Sequence, residues 1–247
     1  MEFGYEEDEL AAKSSTEEIR ARFDADVDRF SNLETGQAAA IDAPLMMDLI
    51  SESAVKLTPR IDRVLDVGCG AGNNSLMLFQ KYGSAFQSDL LDLSRPMLER
   101  AETRLKKAGI REVSTWHADI RQANLPAESF DVIIAAAVLH HLRDEEDWLS
   151  TFSKIFSLLR PGGSFWVSDL VSQETSTIHE LIWKRYEMYL ETLGGKAYCQ
   201  RVMEYIALED SPRPLTYQLD LMREVGFTHV EVLHKNSCFA AFGGLKS

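Results

Sequence analysis

The apolar–polar pattern changes character near residue 63. Before it, Ile19 to about Val55 repeats apolar residues at helical spacing, with breaks at Ser31-Asn32 and Gly36. Beyond it, short apolar runs alternate with amphipathic stretches. Val64 to Val67 reads as a strand, Ser75 to Tyr82 as a helix stopped by Gly83, and Ala85 to Leu93 as a second strand. Ser94-Arg95-Pro96 opens a helix, because Ser caps and Pro fits the first turn. Gly109 suits its end. Val113 to His117 and Phe130 to Ala137 are the next strands, the latter apolar enough to be buried on both faces. Asp144 to Leu159 is a helix that opens with acids, which suits its dipole. Pro161-Gly162-Gly163 is a turn, and Ser164 to Leu170 is a fifth strand.

Such alternation predicts an α/β fold: a parallel sheet with helices on both faces. Ile178 to Asp210 interrupts the rhythm with a long, aromatic-rich helical stretch. Leu215 to Val225 is a further helix. His229 to Leu233 and Cys238 to Phe242 then form a closing hairpin through His234 to Ser237, adding antiparallel pairing to one edge. We expect one domain over 1–247: a helical lid (1–62), a core (63–170), a helical cap (171–214), and a closing helix and hairpin (215–247).

The first strand runs into Gly68-Cys69-Gly70-Ala71-Gly72, where small residues let the backbone turn and approach a ligand. Asp92 follows at the end of strand two, where an acid accepts from ribose hydroxyls in nucleotide-binding α/β folds. Asp89 is its rival and reads otherwise as a solvated strand-end charge. At the end of strand three, Asp119 can accept from an exocyclic amine while Ile120 packs on a base.

Composition narrows the partners. The chain has 247 residues, 45% apolar and 26% charged, with a net charge of −13. That balance fits a globular protein and opposes bare electrostatic binding to nucleic acid or an anionic membrane. The apolar run Val132 to Leu139 is far shorter than a membrane helix, and the acidic start MEFGYEEDEL is no secretory signal. Cys69, Cys199 and Cys238 are dispersed and lack CxxC spacing, which predicts free thiols in a cytoplasmic protein and no metal site. Cys69 is read as a small turn residue, not a reactive thiol.

The segments VLDVGCGAG, DLSRPML, HADI, FDVIIAAAVLHHL and LLRPGGSFWVSD together resemble the class I S-adenosylmethionine (SAM) dependent methyltransferases. The resemblance spans about Arg63 to Leu170 and the closing helix and hairpin. GCGAG lacks the GxGxxG spacing of dinucleotide-binding dehydrogenases. The resemblance implies a Rossmann-like, seven-stranded, mostly parallel sheet with a C-terminal antiparallel hairpin, and SAM as cofactor. It places Gly68, Cys69 and Gly70 at the methionine end, Asp92 on the ribose, and Leu93 against the adenine. Asp119 and Ile120 frame the adenine, and Ala136 lies near the sulfonium. The flanks look like the branch containing carboxy-SAM synthase, which uses SAM and prephenate and serves tRNA wobble-uridine modification. That branch's cofactor-contacting Asn aligns with Ala136, its N-terminal Tyr aligns near Ile41, and its carboxylate-binding Arg aligns at or beside Arg201.

On the substrate side, His140 and His141 follow strand four, where a neutral imidazole can take an acceptor proton. Ile178, Ile182, Tyr186, Tyr189 and Leu193 form a helical stripe suited to packing. Tyr186, Tyr198 and Arg201 are the candidate acceptor contacts, an aromatic cage with a cation for an acidic group. Phe23 and Phe30 read as lid packing. The expected function is methyl transfer to a small molecule. A carboxy-SAM synthase-like activity and a non-catalytic SAM-binding partner protein are the alternatives, and a homodimer is expected.

Overall fold

The computed structural model describes residues 13–32 and 38–247. The acidic stretch before residue 13, the break at Gly36 and the side chain of Phe30 lie outside the described residues. Helices α1 (Thr16–Ala25) and α2 (Val27–Ser31) come first, then α3 (Ala43–Leu57). Helix α1 starts on a capping box: Ser15 accepts from Glu18 N–H and Glu18 accepts from Ser15 N–H.

Strands β1 (Arg63–Val67), β2 (Gln87–Asp92), β3 (Val113–His117), β4 (Phe130–Ala136) and β5 (Leu159–Leu170) are parallel. Between them lie α4 (Asn73–Tyr82), α5 (Arg95–Ala108) and α6 (Glu145–Leu158). Helix α7 (Ser176–Glu209) is broken at Gly194–Gly195 and leads to α8 (Leu215–Glu224). Strands β6 (Thr228–Asn236) and β7 (Phe239–Leu245) close the sheet in the order β3-β2-β1-β4-β5-β7-β6. Only β7 runs against the others, pairing antiparallel with β5 and β6. The expected mostly parallel seven-stranded sheet with its terminal hairpin is therefore present.

Two buried layers flank the sheet. One packs α3, α4, α5 and α7 on one face, through residues such as Met46, Leu78, Leu98 and Tyr186. The other packs α6 and α8 on the opposite face, through Trp148, Phe152, Leu221 and Phe242. Chain order reverses between β1 and β4, so their carboxyl ends open a crevice, the usual ligand position in such sheets.

Three local expectations change. The Pro161-Gly162-Gly163 turn lies inside β5, where the register jumps from Phe130–Leu159 to Val132–Ser164. It survives as a bulge, because Lys246 O and N bond Gly162 N–H and Gly163 O and keep the segment in the sheet. The hairpin is longer than expected, since His234 to Asn236 pair with Ala241 to Phe239. Asp89 is not a solvated charge: it is fully buried, paired with Arg63 and bonded by Trp116 Nε1 at 2.9 Å.

Candidate functional site

At the crevice the β1 strand ends in a glycine turn that only glycine accommodates. Gly68 has φ +64, and a Cβ there would lie 2.5 Å from Val138. Gly70 has φ +49 with nothing within 4 Å of a Cβ, so it fronts open space. Cys69 is buried and its N–H donates to Leu91 O at 3.0 Å, tying the turn to β2. Burial, with the Asp92 and Asp66 carboxylates, pushes its thiol well up, which keeps it unreactive.

Asp92 faces this turn. Its Oδ2 accepts from Gly70 N–H and its Oδ1 from Ser94 N–H, both at 2.8 Å. Burial raises its pKa although backbone donors oppose this. Each oxygen keeps a lone pair for a further donor. Ser94 caps α5, as expected, accepting from Met97 N–H and donating to Asp24 Oδ1 at 2.5 Å. Leu93 is half-buried, and its carbonyl accepts from His117 Nε2 at 2.8 Å.

Asp119 is held by its own neighbour. Arg121 donates to Oδ1 from N and Nε and to Oδ2 from Nη2. Burial opposes its ionisation, but Arg121 outweighs it and holds the carboxyl below the usual range. Ile120 is buried beside it, and Ala136 ends β4 half-buried. The sequence reading missed Asp66 on β1. It is fully buried, accepts from Ser75 Oγ at 2.7 Å, and burial lifts it to about 6. Its position in an apolar strand was the available signal.

The two histidines sit in a short 3-10 turn, Leu139–His141. Asp169 near the end of β5 holds that turn: its Oδ2 accepts from the N–H groups of Val138, Leu139 and His140, and its Oδ1 bonds His140 Nδ1. Asp210 lies on the other side, 3.6 Å from His140 Nε2 and 3.4 Å from His141 Nδ1. Burial favours a neutral His140, but the two carboxylates outweigh it and raise it to about 9. His140 is therefore charged at neutral pH, unlike the neutral base anticipated. His141 is the opposite case. Burial and the adjacent His140 cation push it well down, so it stays neutral. Its Nδ1 donates to Glu209 O at 3.3 Å, because a carbonyl only accepts. Nε2 then carries the lone pair, and that atom is buried without a hydrogen-bond partner among the described residues.

His140, His141 and Asp210 are also close enough to surround a metal ion. A charged His140 between two carboxylates accounts for the same geometry.

The cap residues divide. Tyr186 is buried, donates to Ala39 O at 3.1 Å and packs edge-on against Phe239. Tyr198 is half-buried against the same layer. Arg201 is exposed, with its guanidinium 5.9 Å from the Tyr198 ring. Phe23 of α1 meets His141 edge-on at 6.0 Å, and Arg22 pairs with Glu209 and Tyr205. Helix α1 thus lies against the histidine turn. Among the described residues no helix is long and apolar enough to cross a membrane.

Comparison with known proteins gives the same picture. Residues 64–163 match the family described as "Methyltransferase domain". Demethylmenaquinone methyltransferase of Listeria monocytogenes is 26% identical over 187 residues, covering 74% of this chain and 77% of that protein. An uncharacterized methyltransferase of Mycobacterium bovis is 37% identical over 123 residues, covering 49% and 55%. An O-methyltransferase family protein of Burkholderia thailandensis shares the fold at TM-score 0.65 and 15% identity, over 91% of this chain and 59% of that one. The 1,6-didemethyltoxoflavin-N1-methyltransferase of the same organism, solved with S-adenosylhomocysteine (SAH), matches at TM-score 0.61 and 15% identity, over 100% and 92%.

Proposed function

We propose that this chain is a class I SAM-dependent methyltransferase, and that it methylates a small-molecule acceptor at the crevice between β1 and β4. The observation that carries the reading is the Asp92 carboxylate, held by the Gly70 and Ser94 N–H groups beside the open face of Gly70. A fixed acceptor of ribose hydroxyls next to an uncrowded glycine turn fits SAM. Gly68, Cys69 and Gly70 would hold its methionine end, Asp92 and Leu93 its ribose and adenine, and Asp119, Ile120 and Ala136 the remaining contacts. When bound, SAM supplies an electrophilic methyl group on a sulfonium.

The chain's own contribution is positioning, exclusion of water and one proton transfer. Positioning of the reacting groups can remove about 7–11 kcal/mol from a transfer barrier. His141 is the base: neutral, with a buried lone pair on Nε2 and its tautomer set by Glu209 O. His140 is the positioning residue, charged and fixed by Asp169 and Asp210. The small-molecule class is supported by the relatives and by the net charge of −13. A homodimer belongs to the same reading, because Ile178, Leu181 and Met188 are exposed on one face of α7.

Mass spectrometry of ligand released on denaturation is expected to show SAM or SAH, and calorimetry is expected to show SAM binding. SAH formation against a panel of quinols, phenols and amines, demethylmenaquinone included, identifies the acceptor. Absence of SAM binding would end this reading. Carboxy-SAM in the released ligand would replace methyl transfer with carboxyl chemistry.

A further inference from the structure

The stretch joining α7 to α8 is irregular and yet buried from Glu209 through Pro214. Connecting segments normally run over the surface, where water satisfies their polar groups. Here hydrogen bonds lace the stretch to the carboxyl ends of two strands. Ser211 N–H donates to His140 O beyond β4, and Ser172 N–H beyond β5 donates to Arg213 O at 3.2 Å.

Arg213 is the anomaly within it. It is 3% exposed, and its Nε and Nη1 are buried without a hydrogen-bond partner among the described residues. No carboxylate pairs with it among the described residues. Its guanidinium lies 5.4 Å from the Tyr217 ring, a contact that does not supply Nε or Nη1 with an acceptor. Less buried arginines nearby are all supplied: Arg121 has Asp119 and Asp147, and Arg143 has Glu209 O and Ser211 Oγ. A buried charge without a partner is among the costliest features a fold can carry.

Gln173 gives a second, independent sign. Both atoms of its amide are buried and unpartnered. Ser172 and Pro214 form a parallel bridge. Arg213 and Gln173 flank that bridge, one from each segment, one a cation and the other a neutral donor and acceptor.

We propose that Arg213, assisted by Gln173, is the anchor for an anionic group, a carboxylate or a phosphate, on the methyl acceptor. This deepens the small-molecule methyltransferase reading and rests on it. The anchor stands at the carboxyl ends of β4 and β5, within three residues of Asp210 and beside the histidine turn, so it belongs to the acceptor and not to SAM. The acceptor is accordingly an acid or a phosphorylated compound whose anionic end is read by Arg213 while its nucleophile meets His141. Arg201, exposed on α7, does not supply this cation.

The test uses benzoate and inorganic phosphate as probes on the SAH-saturated protein, read by calorimetry and by melting temperature. At least one probe is expected to bind wild type and raise its melting temperature, and the probe that binds identifies carboxylate or phosphate as the anchored group. Arg213→Met is expected to weaken that probe by roughly tenfold to hundredfold, the size of a lost charge-assisted contact. Its SAH affinity is expected to be unchanged and its own melting temperature equal to or above wild type, because an unpaired buried charge has been removed. Arg213→Lys is expected to retain part of the binding. Gln173→Leu provides a milder second variant with a smaller loss. If neither probe binds wild type, or if Arg213→Met binds the probe as wild type does, the anchor is refuted while the SAM result stands. Loss of SAH binding by wild type itself would instead refute the underlying reading.

Discussion

Asp92, half-buried, and Arg213, buried, are both charges at the carboxyl ends of the sheet, and they are treated in opposite ways. Asp92 receives backbone N–H groups from both flanking segments, while Arg213 finds no acceptor for Nε or Nη1 among the described residues. The first is preorganised and partly satisfied, so its region holds its shape whether or not a ligand is present. The second is left for a ligand to complete. The contrast fits a cofactor common to a large family and an acceptor particular to one member. It also teaches that a site's selectivity lies where the protein leaves a buried group wanting, not where it satisfies one.

The strongest test of this division strikes the acceptor side alone. His141→Ala is expected to lower the methyl-transfer rate by about 10²- to 10⁴-fold, the usual worth of a positioned base, with SAM affinity unchanged by calorimetry. An unchanged rate would leave positioning as the sole source of catalysis. The converse test strikes the cofactor side. Asp92→Ala should weaken SAM by roughly tenfold to hundredfold, one charge-assisted contact of about 1.5–3 kcal/mol. Benzoate or phosphate affinity, measured on the variant under saturating SAH, should stay as in wild type. Coupled losses would erase the distinction between the two regions.

A third measurement sharpens the electrostatics. His140 titrates at about 9 when folded, against an ordinary 6.5. Its contribution is whole below about pH 6.5 and is lost as the pH rises through 9, amounting to about 3 kcal/mol. Denaturant melts of wild type should weaken across that window, and His140→Gln should flatten the slope. Asp66, lifted to about 6 by burial, acts in the same sense at lower pH. Stability gained from its protonated form fades as the pH rises from about 4 to 6, and Asp66→Asn should remove that dependence. The smallest effect concerns assembly: light scattering is expected to show a dimer, and Leu181→Glu a monomer with both ligand affinities intact.

How far the sequence revealed this arrangement differs along the same line. The glycine turn, Asp92 and the Ser94 cap are local: each is dictated by a few consecutive residues, so spacing alone exposed them. Asp89 was misread because its partner Arg63 comes from the neighbouring strand, and strand register is not visible in one segment. Arg213 gave almost no signal, because its burial comes from pairing with Ser172, some forty residues away. One hint existed. Arg213 stands between Pro212 and Pro214, and prolines on both sides force an extended backbone that neither helix could absorb. The bulge in β5 was hidden for a related reason: glycines that usually end a strand are here held in the sheet by Lys246 from the far end of the chain.

Helix α1 touches both regions. Asp24 accepts from Ser94, two residues from Asp92, and Arg22 grips Glu209, the residue before Asp210. A ligand that orders this helix at one end has already met the entropic cost of ordering it at the other. Cofactor and acceptor are expected to be coupled through α1 without touching each other: each raises the affinity for the other by the same factor, whichever binds first. Release of product then requires one short helix to let go of two places at once, a step expected to be slow alongside the methyl transfer itself.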